Sequence, residues 1–150
     1  YHTATHLLHA ALRKVLGNHV EQKGSNITAK RLRFDFSHPQ AMTQEEKQQV
    51  QDQINEWIND SLPVNVAQMK KSEALKSGAI AFFVEKYPDE VTVYTVGNNP
   101  DGKNSDSSNP DWVSKELCGG PHVENTSKIG KIEIFKEKAT SAGIRRVYLR

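Results

Sequence analysis

The sequence predicts an α+β fold, a mainly antiparallel sheet packed with helices as a two-layer sandwich. Three observations lead there. Apolar residues recur at helical spacing in two segments. They alternate with polar residues in several others. The helices do not separate the strands one by one, as a parallel sheet requires. At 150 residues, 36% hydrophobic and 25% charged, the chain suits one domain around one core.

In chain order, residues 2–16 read as an amphipathic helix. Leu8, Leu12, Val15 and Leu16 lie along one side, His2 and His6 sit one turn apart, and Gly17 is the stop. Asn18–Lys30 reads as a looser stretch. In Arg31–Ser37, Leu32, Phe34 and Phe36 alternate with Arg33 and Asp35, which predicts a half-buried strand that Pro39 ends. Thr43-Gln-Glu-Glu46 is a capping box for a second helix with Val50, Ile54, Trp57 and Ile58 on one stripe. That helix closes near Leu62-Pro63.

Pro63–Met69 predicts a strand, followed by a short helix from Ser72 that Gly78 stops, and Ala79–Val84 is apolar and ambiguous. Val91–Val96 alternates as a strand. From Gly97 to Asp111, fourteen of fifteen residues are Gly, Asn, Pro, Asp or Ser. Residues 97–114 therefore read as a mobile polar loop. Its aspartates lack the spacing of a calcium-binding loop. Ile132–Glu137 and Ile144–Leu149 predict two strands joined by a turn at Ser141-Ala142-Gly143.

Composition narrows the function classes. No apolar run approaches the roughly 20 residues of a membrane span. No secretory leader pattern opens the chain. The one cysteine, Cys118, forms no internal disulfide and fits a reducing compartment. The net charge of +2 is uneven: residues 1–33 and 126–150 each carry +5, and 34–125 carries −8. If the two basic ends meet, they present a positive surface to a polyanion; the alternative is two ordinary solvated faces.

Two short patterns carry chemistry. In His2-Thr-Ala-Thr-His6, imidazoles at i and i+4 of a helix point one way and can share a metal ion. Thr3 stands where a zinc protease has its general-base glutamate, which disfavours that class. In Cys118-Gly-Gly-Pro-His122, a flexible turn lets thiolate and imidazole converge. Together they make a nitrogen–sulfur set that suits zinc. The alternative is a packed cysteine beside surface histidines.

The segments His2-Thr-Ala-Thr-His6-Leu-Leu-His-Ala-Ala-Leu, Gln22-Lys-Gly-Ser25, Leu32-Arg-Phe-Asp-Phe-Ser-His38, Glu116-Leu-Cys-Gly-Gly-Pro-His122 and Ala142-Gly-Ile-Arg-Arg146 follow one another in an order that resembles the editing domain of alanyl-tRNA synthetase. Freestanding alanyl-tRNA editing proteins share the two ligand pairs. The cysteine motif also resembles threonyl-tRNA synthetase, but Ala-Gly-Ile-Arg-Arg points to the alanyl branch. The chain departs from the pattern at Val84, where the family commonly has glycine, and in a longer Asn98–Ser114 loop.

The resemblance implies a Zn2+ site of His2, His6, Cys118 and His122. It implies hydrolysis of serine or glycine esters of alanine tRNA, with Gln22 in the substrate pocket. Ser25 and Thr5 are further substrate-side candidates, and Arg145 and Arg146 are candidates for gripping tRNA phosphates. In an alternating strand only one of these two arginines faces a given side. No general base stands out. His9, His19 and His38 read as surface or capping residues.

With Tyr1 so close to the first ligand, the chain reads as a fragment of a longer cytoplasmic synthetase. The rest of that chain would be its partner, and ATP binding would lie elsewhere in it. Two other readings compete. One is a structural zinc module that binds RNA without catalysis, which a closed four-ligand set favours. The other is a general metallohydrolase, which predicts cleavage of model esters without tRNA.

Overall fold

A computed structural model describes residues 2–76, 79, 88–97, 112–117 and 123–150. The expected ligands Cys118 and His122, the side chain of His2, the helix stop at Gly78, most of Ala79–Val84 and the body of the polar loop lie outside the described residues.

Helix α1 spans His2–Leu16, with Arg13 and Lys14 in its last turn complementing the negative end of the helix dipole. Gly17 ends it at φ 127°, where its N–H bonds the Arg13 carbonyl at 3.0 Å. A Cβ there would come within 2.9 Å of His19 Nδ1, so glycine is required twice over. Helix α2, Gln44–Asn59, opens on the expected capping box. Glu46 N–H donates to Thr43 Oγ1 at 3.0 Å and Thr43 N–H donates to Glu46 Oε1 at 2.8 Å. Its buried stripe is Val50, Ile54, Trp57 and Ile58, and α1 packs beside it.

Two antiparallel sheets complete the α+β architecture. The four-stranded sheet has the order β1-β2-β7-β6, from β1 (Gln22–Ile27), β2 (Leu32–Ser37), β7 (Ile144–Leu149) and β6 (Ile134–Ser141). The three-stranded sheet has the order β3-β4-β5, from β3 (Val64–Lys70), β4 (Glu90–Gly97) and β5 (Trp112–Leu117). The short helix α3, Lys71–Lys76, follows β3 directly. The register Phe34↔Val147 pairs β2 with the last strand, so the beginning and end of the chain share one sheet. Leu32, Phe34, Phe36, Val147 and Leu149 meet α1 and α2 in the main core.

Three boundaries differ from the sequence expectation. Gln22–Ile27 is a strand rather than part of a looser stretch; it is a polar edge strand, largely exposed, so no hydrophobic alternation betrays it. The polar loop does not extend to 114, because Trp112 already pairs with Gly97 in β5. The sixth strand starts at Ile134 rather than 132 and runs to Ser141. Ile132 is instead held by the Asn55 side chain, which accepts from its N–H at 2.8 Å and donates to its carbonyl at 2.9 Å.

Candidate metal centre

Helix α1 carries the first half of the expected site. Thr3, Thr5, His6 and His9 are all buried. The second half follows β5, whose Glu116 turns towards α1. Glu116 Oε2 lies 3.0 Å from His6 Nδ1, an ion-pair approach without the alignment of a hydrogen bond. Glu116 Oε1 accepts from His9 Nδ1 at 2.7 Å. On the other side of residues 118–122, the Val123 N–H donates to Thr3 Oγ1 at 3.2 Å. The described residues flanking the Cys118–His122 motif thus both meet the first half of α1.

A metal-binding imidazole commonly has a carboxylate or carbonyl at its other ring nitrogen, which fixes tautomer and ring direction. The Glu116 carboxylate stands beside His6 Nδ1 at the distance such a partner occupies. The nitrogen–sulfur chemistry of His2, His6, Cys118 and His122 fits zinc. Among the described residues no three potential ligands gather at a point, since the side chains of three of the four expected ones, His2, Cys118 and His122, lie outside them. Glu116 contacts both His6 and His9 and was not singled out from the sequence. Its position two residues before the cysteine, with histidines at i and i+3 on the facing helix, is the signal for it.

His9 and His38 correct the surface expectation: they are 1% and 7% exposed. His9 is buried because Glu116 satisfies it and because it packs 5.8 Å from the Phe34 ring. His38 Nδ1 lies 2.8 Å from His19 Nε2, so one proton is shared between stacked rings. Burial, followed by the neighbouring His19, pushes the His38 pKa below its ordinary value, against the opposite pull of Glu46 and Glu137.

Gln22 and Ser25 lie on β1 opposite Phe36 and Phe34, which places them on the sheet face that α1 covers. The Gln22 Nε2 donates to Ser25 Oγ at 3.2 Å. Thr5 is on α1 beside His6. The two arginines do take opposite faces, Arg145 opposite Phe36 and Arg146 opposite Asp35. Both have partners within the chain. Arg145 Nε bonds Glu137 at 3.2 Å, and Arg146 grips Asp35 with two bonds of 2.7 and 3.0 Å. The hydrogen bond to Asp35 raises the Arg146 pKa further above its already high value. Gly24 stands over that pair, where a Cβ would come 3.3 Å from Asp35 Oδ2.

Comparison with known proteins gives a consistent picture. Residues 91–148 match the family described as the threonyl and alanyl tRNA synthetase second additional domain. The chain is similar to the alanine–tRNA ligase of Treponema denticola, 54% identical over 147 residues, which is 98% of this chain and 22% of that protein. It is 52% identical to that of Treponema pallidum over the same shares. It is 49% identical to that of Thermotoga maritima over 97% of this chain and 15% of that protein. The chain therefore spans about a fifth or less of the length of these curated relatives.

Proposed function

This chain belongs, over 98% of its length, with one segment of the alanine–tRNA ligases, and from that premise we propose that it hydrolyses the ester between serine or glycine and alanine tRNA. Serine differs from alanine by one hydroxyl, and an apolar synthetic pocket discriminates against such a mimic only about a hundredfold. A second, hydrolytic site is the physical remedy. In this reading the chain acts within a longer cytoplasmic synthetase, and mischarged tRNA is the substrate.

His2, His6, Cys118 and His122 would hold a zinc ion. When bound, zinc supplies Lewis-acid stabilisation for the ester carbonyl or for the substrate's amine. Glu116 orients the His6 ring through Nδ1, and His9 holds the second carboxylate oxygen so that Glu116 stays turned towards α1. Gln22, with Ser25 and Thr5, offers hydrogen-bonding groups to a seryl hydroxyl. Arg145 and Arg146 lie near one another in sequence but on opposite sheet faces, so at most one of them would meet the tRNA terminus.

The observation that carries this reading is that both flanks of the Cys118–His122 segment meet α1, through Glu116 and Val123. The test is incubation with serylated and alanylated tRNA alongside metal analysis. Serine is released, alanine is retained, and Cys118→Ala ends the release. Zinc bound without any serine release would instead mean an RNA-binding module, and unchanged release by Cys118→Ala would remove the metal from the mechanism.

A further inference from the structure

The four-stranded sheet has a second face, opposite the one that Leu32, Phe34, Val147 and Leu149 turn to the helices. Alternation and register place Arg33, Tyr148 and Lys136 in one row across it, and Asp35, Arg146 and Lys138 in the next. Phe135 joins them through the irregularity between Ile134 and Lys136, with its ring 6.0 Å from that of Tyr148. Cations decorate both rings. Arg31 and Lys136 lie 5.6 and 5.5 Å from the Tyr148 centroid, and Arg150 lies 4.7 Å from that of Phe135.

Few carboxylates offset them. Asp35 is engaged by Arg146 and approached by Arg33 at 3.9 Å, and Glu133 pairs with Arg150. Among the described residues neither Lys136 nor Lys138 pairs with a carboxylate. The field is felt at the Tyr148 hydroxyl. Burial would raise its pKa, but Lys138, the bond with Arg146, and Lys136 together pull it below its ordinary value. Two like charges held at one ring repel each other, and a bound polyanion relieves that repulsion.

We propose that this outer sheet face, through Arg31, Lys136, Lys138 and Arg150 ordered by Tyr148 and Phe135, binds the phosphate backbone of RNA. The choice of RNA rests on the reading above; the location does not, since Gln22 and Ser25 are on the opposite face. The rings fix the direction of cationic side chains that would otherwise lose more entropy on contact.

The test is the affinity of the intact protein for labelled alanine tRNA at increasing salt. Each phosphate contact contributes roughly 0.7–0.9 to the slope of log affinity against log salt. Lys136→Ala/Lys138→Ala should lower that slope by about 1.5 and weaken binding roughly tenfold at moderate salt. Tyr148→Phe should bind as the parent does, and Tyr148→Leu more weakly. Lys70→Ala/Lys76→Ala, in β3 and in the α3 helix that follows it, should keep the parent slope.

A folded Lys136→Ala/Lys138→Ala variant with the parent's affinity and slope overturns the proposal. So does an equal loss in the Lys70/Lys76 control. So does unchanged tRNA binding accompanied by lost binding to phosphatidylserine vesicles. Serine release at saturating tRNA is read separately: its absence from the parent protein removes the hydrolase reading and leaves the binding result standing.

Discussion

Glu116 reaches from β5 to His6 on α1, Oε2 to Nδ1 at 3.0 Å, while its other oxygen holds His9 at 2.7 Å. One carboxylate therefore couples β5 to α1 just ahead of Cys118. If it orients His6 for a metal ion, Glu116→Ala should weaken zinc binding by about 10- to 100-fold. Glu116→Gln, which keeps an acceptor in place, should lose less. Competition with a chromogenic chelator measures this, and equal affinity in all three proteins would remove Glu116 from the site.

Thr126 is fully buried between α2 and the chain that leads to β6. Its hydroxyl donates to the Trp57 carbonyl at 2.7 Å and accepts from the Leu62 N–H at 2.8 Å. Thr126→Val keeps the shape and strands both backbone groups, at a cost of about 1–3 kcal/mol. Thr126→Ser should recover most of it. Urea denaturation of the two variants settles the matter, and a valine variant as stable as the parent contradicts it.

The His19–His38 pair predicts acid sensitivity. Because the folded His38 pKa lies below 6.5, the unfolded chain binds more protons as pH falls below that value. The contribution is complete above pH 6.5 and is lost as pH drops towards the folded pKa. His19, Glu46, Glu137 and Arg145 are the groups facing the ring. Melting temperature should fall with pH through this window, and His38→Gln should flatten the curve; an unaltered slope in that variant refutes the assignment.

Gly24→Ala would usually gain stability in a strand by restricting the unfolded chain. Here the new Cβ meets Asp35 Oδ2 at 3.3 Å, and that carboxylate is held by two bonds from Arg146. It cannot retreat freely, so a loss of about 1 kcal/mol is expected. A stabilised alanine variant, seen in the same denaturation experiment, would show that the Asp35–Arg146 pair yields.

The elements legible in the sequence were those whose core faces repeat with a period. The stripe Val50, Ile54, Trp57, Ile58 and the alternation Leu32, Phe34, Phe36 each describe one buried side, and each element forms where expected. The strand at Gln22–Ile27 has no such side, since its stability comes from pairing with β2. In Trp112–Leu117, Ser114, Lys115 and Glu116 are all buried, so polar residues occupy positions that a pattern search reserves for apolar ones. The burial of His9 was hidden for the same reason. A polar group can be buried once it has a partner, and Glu116 is 107 residues away.

Among the described residues the smaller sheet has a core cluster of its own, in which Ala74, Ala79, Val91, Val93 and Leu117 meet. A separate cluster can open as a unit of its own, so the amides of β4 and β5 should exchange with deuterated solvent independently of those of β2 and β7. Since β5 carries Glu116, each such opening would release His6 and His9 from their shared partner, and a ligand that keeps them together would slow exchange throughout β4 and β5.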